Sequence, residues 1–201
     1  MIKVVLAEDQ EMLRQAMVQL ISMNDDIEIV FDSADGKKAW DFIKTNQPDV
    51  AILDIEMPGL TGLEVLGKIR EADISTKVII VTTFKRPGYF ERAVANNVDA
   101  YVLKERSVEE LVHTIHTVME GKKEYSQSLM TTFFSEKNPL TPSEQLILKE
   151  IGNGYSSKEI ADKLYLSDGT VRNYTSAAID KLEAENRFDA WKIAESKGWI
   201  I

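Results

Sequence analysis

Residues 78–82 read Val78-Ile79-Ile80-Val81-Thr82, a run that would be apolar on both faces of a β-strand. Strands have this pattern when helices cover both sides of a parallel sheet. Similar short runs occur at Ile2–Ala7, Ile27–Phe31, Val50–Leu53 and Ala100–Leu103. The pattern therefore predicts a five-stranded parallel sheet with both faces buried.

The segments between these runs have the periodicity of amphipathic helices. They are Glu11–Met23, Lys37–Asn46, Leu63–Glu71, Pro87–Asn96 and Val108–Glu120. At Thr61 and Ser107 a hydroxyl residue is followed three positions later by glutamate, which is the spacing of a capping box. Alternating strands and helices predict a doubly wound α/β domain of the flavodoxin-like kind over residues 1–121.

The composition is that of an ordinary folded protein, with 44% hydrophobic and 28% charged residues. The chain has no cysteine, which excludes disulfides and thiolate zinc sites, so any metal must bind oxygen ligands. The first apolar run is too short for a signal peptide, and no stretch approaches the length of a membrane span. We expect a cytoplasmic protein without a membrane partner.

The pattern changes after Gly121, and residues 122–138 are predicted to be a linker with a short helix. A second domain is predicted over residues 139–201. Its start is marked by Thr141-Pro142-Ser143-Glu144, which combines a capping residue, a proline at the first helical position and a glutamate at the third. Further helices are predicted at Ser157–Leu164, Gly169–Leu182 and Arg187–Lys197, which gives a small all-α bundle.

Acidic, hydroxyl and amine side chains follow four of the predicted strands. The first strand ends in Glu8-Asp9, the third in Asp54, the fourth in Thr82 and the fifth in Lys104. Ligands of open α/β sheets bind at the carboxyl ends of the strands, so these groups should meet at one site. Closely packed carboxylates need a cation, and Mg²⁺ suits both oxygen ligands and phosphoryl groups. An aspartate in such a site can form an aspartyl phosphate.

Residues 1 to about 120 resemble the receiver domain of two-component response regulators. The resemblance rests on Glu8-Asp9, Asp54-Ile55-Glu56-Met57-Pro58-Gly59, Thr82 and Lys104, each at the matching strand end. It implies that a sensor histidine kinase phosphorylates Asp54. It also implies a Mg²⁺ site formed by Glu8, Asp9, Asp54 and the backbone carbonyl of Glu56.

The same resemblance gives roles to residues on the last two strands. Lys104 and Thr82 would bind the phosphoryl group, and Thr82 with Tyr101 would report phosphorylation by rearranging their side chains. One departure is Glu105, where many receivers have proline. Each of these residues alone could be an ordinary turn, strand or surface residue, but their joint placement at the ends of separate strands favours the site.

Residues 139–201 resemble the four-helix DNA-binding domain of the NarL/FixJ and LuxR class of regulators. The matching residues are Leu140-Thr141, Glu144, Ser157-Lys158-Glu159-Ile160-Ala161, Leu166-Ser167, Thr170-Val171-Arg172, Lys181-Leu182 and Asn186-Arg187. The resemblance implies a helix-turn-helix whose helix Gly169–Leu182 lies in the major groove of double-stranded DNA. The whole chain also resembles the DesR subgroup of this class.

The recognition helix carries the predicted DNA contacts, which are Ser167, Thr170, Arg172, Asn173, Ser176 and Lys181. Arginine pairs with guanine and asparagine with adenine through two hydrogen bonds each, which makes Arg172 and Asn173 candidates for base recognition. Acidic residues outnumber basic ones both before and after residue 138, and the net charge is -9. Ser176 and Glu183 also depart from the usual pattern, so we expect few phosphate contacts and a strong dependence on dimerisation.

A second apolar stripe on the last helix of the first domain suggests a partner. The core-facing stripe of this helix consists of Val108, Leu111, Ile115 and Val118. Dimerisation is predicted through the first and fifth helices, at Met12, Ala16, Val112, His116 and Met119. His113 and His116 lie three residues apart but lack a third nitrogen or sulfur ligand, which disfavours zinc.

The sequence thus predicts a transcription regulator, not an enzyme, that forms a homodimer when phosphorylated and has RNA polymerase as a further partner. One alternative is a phosphohydrolase with Asp54 as nucleophile and Glu56 as second acid, although no cap insertion separates the strands. Another is a DNA-binding protein whose receiver is an unphosphorylated dimerisation platform. A third treats the helical domain as a bundle used for protein contacts.

Overall fold

The protein is described by a computed structural model over residues 1–83, 86–126, 130 and 137–200. The chain divides into two compact units. The first consists of residues 1–85 and 90–131, and the second of residues 132–201 together with residues 86–89. Within the described part of the chain, no helix is both long and apolar enough to cross a membrane.

The first unit is built around one parallel sheet. Its strands are β1 (Ile2–Ala7), β2 (Ile27–Ser33), β3 (Val50–Leu53), β4 (Lys77–Thr82), β5 (Ala100–Leu103) and β6 (Glu124–Tyr125), in the order β2-β1-β3-β4-β5-β6. The chain passes from β1 to one side to form β2 and to the other side to form β3. The carboxyl ends of β1 and β3 therefore flank the point where the strand order reverses, which is where doubly wound sheets bind ligands.

The sheet has one strand more than the sequence predicted. β6 lies among residues assigned to the linker, and it pairs in parallel with β5, with Glu124 opposite Ala100 and Tyr125 opposite Tyr101. A strand of two residues carries too little alternation to be recognised in the sequence. The rest of the predicted linker, with its predicted short helix, lies mostly outside the described residues.

Five helices connect the strands of this unit. They are α1 (Glu11–Ile21), α2 (Gly36–Asn46), α3 (Gly62–Glu71), α4 (Pro87–Ala95) and α5 (Val108–Met119). The capping boxes predicted at Thr61 and Ser107 are both present, at the starts of α3 and α5. By contrast, the side chain of Gln10, at the cap position of α1, makes no capping hydrogen bond. Other contacts must therefore fix the start of α1.

The core of the first unit is formed where the helices meet the sheet. On α1 and α5 the buried residues are Met17, Ile21, Leu111, Ile115 and Val118, which pack on the central strands. Ile43 of α2 and Ile69 of α3 are fully buried as well. The β3 residues that precede Asp54 are all buried, as expected for a strand covered on both sides.

The second unit is a bundle of helices in its described residues 137–200. They are α6 (Pro142–Gly152), α7 (Ser157–Leu164), α8 (Asp168–Leu182) and α9 (Arg187–Ser196). The predicted start of α6 is confirmed, because Thr141 and Glu144 form a capping box and Pro142 opens the helix. Ile147, Ile160 and Val171 are among the buried residues that join α6, α7 and α8. The predicted all-α architecture is therefore confirmed.

Candidate functional site

Three carboxyl groups converge where β1 and β3 end. These strands are neighbours, with Ala7 opposite Leu53, and the backbone N–H of Asp54 donates to the carbonyl of Ala7 at 2.9 Å. One oxygen from each of Glu8, Asp9 and Asp54 lies within 4.8 Å of the others. Glu8 and Asp54 are buried, whereas Asp9 is exposed. The structure thus brings together the acids that follow the first and third strands.

Lys104 bridges two of these carboxylates. It follows β5, and its backbone N–H donates to the carbonyl of Thr82 at 2.9 Å. Its Nζ lies 2.7 Å from Oε2 of Glu8 and 3.0 Å from Oδ2 of Asp54. The other carboxylate oxygen of Asp54, Oδ1, accepts a hydrogen bond from the backbone N–H of Ile55 at 2.7 Å. The Asp54 carboxylate is therefore held between an ammonium group and a backbone amide.

Burial dominates the electrostatics of this site. It raises the pKa of Asp54 to about 6, because the attraction of Lys104 does not compensate for the lost hydration and Glu8 adds repulsion. For Lys104, burial lowers the pKa, but the contacts with Glu8 and Asp54 raise it more, so the pKa lies above 10.5. The site thus sets one ammonium group against three carboxyl groups. It suits a further cation, and its all-oxygen donors favour a hard ion such as Mg²⁺.

Arg14 is a residue of this site that the sequence analysis missed. From the first turn of α1, its Nη1 donates to the backbone carbonyl of Glu8 at 2.8 Å. Its Nε lies 3.0 Å from Oδ2 of Asp32 on β2, and only 14% of the Arg14 side chain is exposed. Because α1 lacks a side-chain cap, this clamp fixes the turn that carries Glu8 and Asp9. In the sequence, an arginine at the start of a helix looks like an ordinary surface charge.

The remaining predicted residues of the first unit differ in exposure. Thr82, the last residue of β4, is fully buried. Tyr101 on β5 is also fully buried, and its ring meets the ring of Phe90 on α4 edge-on, with 5.3 Å between the ring centres. Glu56 follows β3, and its side chain is exposed. Thr82 is therefore at the end of its strand, whereas Tyr101 lies further back along β5.

In the second unit, the start of α8 offers hydroxyl groups and backbone amides. Ser167 caps the helix, because its Oγ accepts a hydrogen bond from the backbone N–H of Thr170 at 3.0 Å. The hydroxyl groups of Ser167 and Thr170 lie 2.8 Å apart. Tyr165, two residues before Ser167, has a left-handed backbone conformation that ends α7, so a tight turn joins the two helices. The helix-turn-helix arrangement follows directly.

One face of α8 is polar and exposed. Arg172, Asn173 and Ser176 are all exposed, and their spacing puts them on neighbouring turns of the same face. Arg172 forms an ion pair with Asp168, one turn earlier on the helix. Val171 is fully buried on the opposite side. The three polar residues thus form one exposed surface. Two of its side chains can form several hydrogen bonds and the third is small, which suits contact with a nucleic acid.

Two protein-family models match the chain. The model of the response regulator receiver domain matches residues 4–116. The model of bacterial regulatory proteins of the luxR family matches residues 138–194. The chain belongs to the LuxR-type response regulators. A member of this family is a transcription regulator with a receiver domain and a DNA-binding domain, as the sequence predicted.

This response regulator is similar over its full length to known members of the family. It is 47% identical to the transcriptional regulatory protein DesR of Bacillus subtilis over 200 residues, which covers 100% of each chain. It is 30% identical to the nitrate/nitrite response regulator protein NarL of Escherichia coli, which covers 93% of this chain and 92% of NarL. The crystal structure of a LuxR-family DNA-binding response regulator from Staphylococcus aureus has 63% sequence identity and a TM-score of 0.58. The match covers 59% of this chain and 98% of the Staphylococcus aureus chain.

The response regulator exposes apolar side chains on α1 and α5. Among the predicted dimerisation residues, Met12, Ala16 and Met119 are exposed, and Val112 and His116 are half-buried. Nε2 of His116 lies 2.7 Å from Oδ2 of Asp26. Leu20 and Met23, near the end of α1, are exposed as well and were not identified from the sequence. The two helices pack side by side, so these residues lie on neighbouring elements.

Lys181 has a partner within its own unit. Its Nζ donates to both carboxylate oxygens of Glu144, at 2.9 and 2.8 Å. Burial raises the pKa of Glu144, but the hydrogen bonds from Lys181 and Thr141 lower it more, so the pKa lies below 4.5. The pair fastens α8 to α6, a role that the sequence analysis did not assign. Contact of Lys181 with DNA stays a prediction.

Proposed function

We propose that Asp54 is the phosphoryl acceptor of this response regulator, and that a sensor histidine kinase is the donor. The observation that carries the proposal is the burial of the Asp54 carboxylate between Lys104 and the amide of Ile55 at the ends of β1, β3 and β5. In the transfer, an oxygen of Asp54 bonds to the phosphorus of a phosphohistidine. The histidine nitrogen leaves with the bonding electron pair. Lys104 then pairs with the phosphoryl oxygens.

We assign a Mg²⁺ site to Asp9, Asp54 and the backbone carbonyl of Glu56, with Glu8 beside it. The excess of carboxyl groups over ammonium groups and the all-oxygen donors support this assignment. When bound, Mg²⁺ neutralises that excess and coordinates phosphoryl oxygens. Asp9 is open to a hydrated ion, and the Arg14 clamp holds the turn that carries Asp9.

Phosphorylation acts by shifting an equilibrium between two conformations of the receiver. Thr82 and Tyr101 report the state of Asp54, and the favoured conformation forms a homodimer. The proposed interface consists of Met12, Ala16, Val112, His116 and Met119. It is supported by the exposed apolar side chains of Met12, Ala16 and Met119, because the centre of a dimer interface is usually apolar; Val112 and His116 are half-buried beside them.

The dimer binds double-stranded DNA through α8. Arg172 and Asn173 read bases in the major groove, with Ser176 on the same face. Ser167 and Thr170 contact phosphate at the helix start, where unpaired backbone amides and the helix dipole favour anions. Lys181 remains a candidate phosphate contact, in competition with its ion pair to Glu144. Two half-sites about one helical turn apart suit a dimer of such domains.

The proposed organisation keeps a receiver over residues 1–121, a linker over residues 122–138 and a DNA-binding domain over residues 139–201. We propose that the protein acts in the cytoplasm, where chromosomal DNA and the kinase domain of a sensor are accessible. RNA polymerase is a further partner of the bound dimer. Sites bound by the phosphorylated form across the genome would identify the target genes and the sign of regulation.

Acetyl phosphate with Mg²⁺ tests the acceptor. Mass spectrometry should locate one phosphoryl group on Asp54, and Asp54→Asn should abolish it because the amide is not a nucleophile. Phosphate on another residue of the wild-type protein would refute the assignment. Asp9→Asn should require more Mg²⁺ for the same extent of phosphorylation.

DNA binding separates this proposal from two rivals. Phosphorylating conditions should raise the DNA affinity of the wild-type protein and leave the DNA affinity of Asp54→Asn unchanged. Equal affinity of wild type and Asp54→Asn under phosphorylating conditions would favour an unphosphorylated dimerisation platform. Many turnovers on small phosphomonoesters, in place of one slow self-hydrolysis, would favour a phosphohydrolase.

A further inference from the structure

The first segment of the predicted linker is attached to the backbone of Tyr101. Within the parallel β5–β6 pair, the backbone N–H of Ser126 donates to the carbonyl of Tyr101 at 3.0 Å. The N–H of Glu124 donates to the carbonyl of Asp99 at 3.1 Å. Tyr125 lies between these two bonds and opposite Tyr101. A change in the backbone of β5 at Tyr101 therefore alters hydrogen bonds made by the first residues of the linker.

Aromatic side chains make a second connection between the same elements. Phe90 of α4 meets Tyr101 edge-on at 5.3 Å and meets Tyr125 edge-on at 5.5 Å, with near-perpendicular rings in both pairs. Phe90 and Tyr101 are both buried. The hydroxyl of Tyr125 donates to the carbonyl of Val98 at 3.4 Å, which orients its ring. Phe90 thus contacts a β5 ring and a linker ring at once.

An ion pair fastens β6 from another direction. Arg106, two residues after Lys104, pairs with Glu124. The same guanidinium nitrogen lies 3.4 Å from the hydroxyl of Thr114 on α5. Because alternate residues of a strand point to opposite faces, the Glu124 and Tyr125 contacts hold β6 from both sides. The strand is short but has anchors on β5, α4 and the loop after Lys104.

We propose that β6 transmits the state of Asp54 to the linker, and that Phe90 and Tyr125 are positioning residues for Tyr101. Their rings stabilise the buried orientation of Tyr101, and this orientation is the one that an occupied Asp54 favours. The proposal rests on the proposed function, in which Tyr101 reports phosphorylation. It adds an output element: the chain that leads to the DNA-binding domain begins on β6, which pairs with the strand that carries Tyr101.

Coupling of this kind is reciprocal. If occupation of Asp54 strengthens the packing of Tyr101 on Phe90 and Tyr125, then that packing must strengthen occupation of Asp54 by the same factor. An edge-to-face aromatic pair corresponds to about a 2- to 10-fold change in an equilibrium constant. Removing the Tyr125 ring should therefore weaken binding of a phosphoryl analogue at a site that Tyr125 does not touch.

The experiment uses the full chain with Mg²⁺ and beryllofluoride as the probe. Fluorine NMR measures the beryllofluoride concentration for half-saturation, and hydrogen exchange measures protection of the Glu124 and Ser126 amides. In the wild type, beryllofluoride should slow exchange at both amides. Tyr125→Leu should raise the half-saturating beryllofluoride concentration about 2- to 10-fold. In this variant beryllofluoride should slow hydrogen exchange at the two amides much less than in the wild type.

Control variants separate coupling from simple stability. Tyr125→Phe keeps the ring and should behave as wild type in the fluorine titration. Tyr155→Leu makes the same substitution at an exposed tyrosine of the second unit and should leave beryllofluoride binding unchanged. If Tyr125→Leu does not fold, Phe90→Leu interrupts the same contacts and should shift the titration in the same direction.

The outcomes are distinct. Wild-type protein that binds beryllofluoride but shows no change at the Glu124 and Ser126 amides would refute the coupling and leave the phosphoacceptor assignment intact. So would a Tyr125→Leu variant with a lower unfolding temperature but unchanged beryllofluoride affinity, because β6 would then be only a structural strand. Wild-type protein without any bound beryllofluoride signal would refute the proposed function and, with it, this coupling.

Discussion

Replacing Asp54 by asparagine should stabilise the metal-free protein, although it removes one partner of Lys104. Burial raises the pKa of Asp54 from 3.8 to about 6, so the folded state favours the neutral carboxyl group. The stabilisation from the neutral form is complete below pH 3.8 and is lost as the pH rises through about 6. The difference of about two pKa units corresponds to about 3 kcal/mol at neutral pH.

The asparagine variant avoids this destabilisation because its amide is never ionised. Its side-chain oxygen can still accept the hydrogen bond from Ile55, and Lys104 keeps its contact with Glu8. At neutral pH in a metal chelator, Asp54→Asn should therefore raise the free energy of unfolding of the first unit by up to about 3 kcal/mol. The difference should shrink as the pH falls from about 6 to 3.8 and should be close to zero below that.

Hydrogen exchange of the buried amides in β1 and β3 measures this free energy, because those amides open only when the first unit unfolds. Asp25→Asn, which removes the same charge from an exposed position, should change the value by no more than about 0.5 kcal/mol. An Asp54→Asn variant that is less stable than wild type at neutral pH without metal would refute the reasoning. It would mean that attraction to Lys104 outweighs burial.

Four further outcomes are expected. Arg14→Ala should weaken Mg²⁺ binding in calorimetry about tenfold or more, because the turn carrying the metal ligands loses its clamp; unchanged affinity would make the clamp purely structural. Met119→Asp should leave the receiver folded and phosphorylatable but monomeric in sedimentation, and a persistent phospho-dependent dimer would point to another face. Arg172→Ala should lose about 1–3 kcal/mol of specific DNA binding and relax base preference across operator variants, whereas full retention would mean that α8 is oriented differently. Glu144→Gln should destabilise the second unit by about 1–3 kcal/mol near neutral pH. This difference in stability should fade as the pH falls below 4.5, where wild-type Glu144 becomes protonated. Thermal unfolding of both proteins over a pH series measures the difference, and a difference that persists in acid would contradict the role of the Glu144 charge.

The fold was predictable because its signals are local and repeated. Runs such as Val78–Val81 are apolar on both faces, and capping boxes at Thr61 and Ser107 mark where helices begin. The convergence of Asp54 and Lys104 followed from the predicted parallel arrangement, since parallel strands bring their carboxyl ends to one edge of the sheet. The main features of the acidic site therefore required no knowledge of side-chain contacts.

The features that were missed depend on contacts between distant segments. Arg14 acquires its role from Asp32 on a neighbouring strand and from a backbone carbonyl, neither of which has a sequence signature. Lys181 on α8 pairs with Glu144 on α6, and the two residues are 37 positions apart in the chain. β6 has only two residues, so its existence depends on the exposed edge of β5 and not on its own pattern. Long-range pairing of this kind is outside the reach of local periodicity.

The position of β6 also determines when the sheet is finished. Parallel strands pair only after the intervening chain has been made. In the described part of the chain β6 is the last strand in sequence, and it is one of the two edge strands of the sheet, the other being β2. During synthesis the edge of β5 at Ala100 and Tyr101 therefore stays open until residue 126 has emerged. An open edge of this kind invites pairing with strands of other chains. Once Glu124 and Tyr125 have paired, the open edge on this side of the sheet is a strand of only two residues, and very short edge strands limit pairing with other chains.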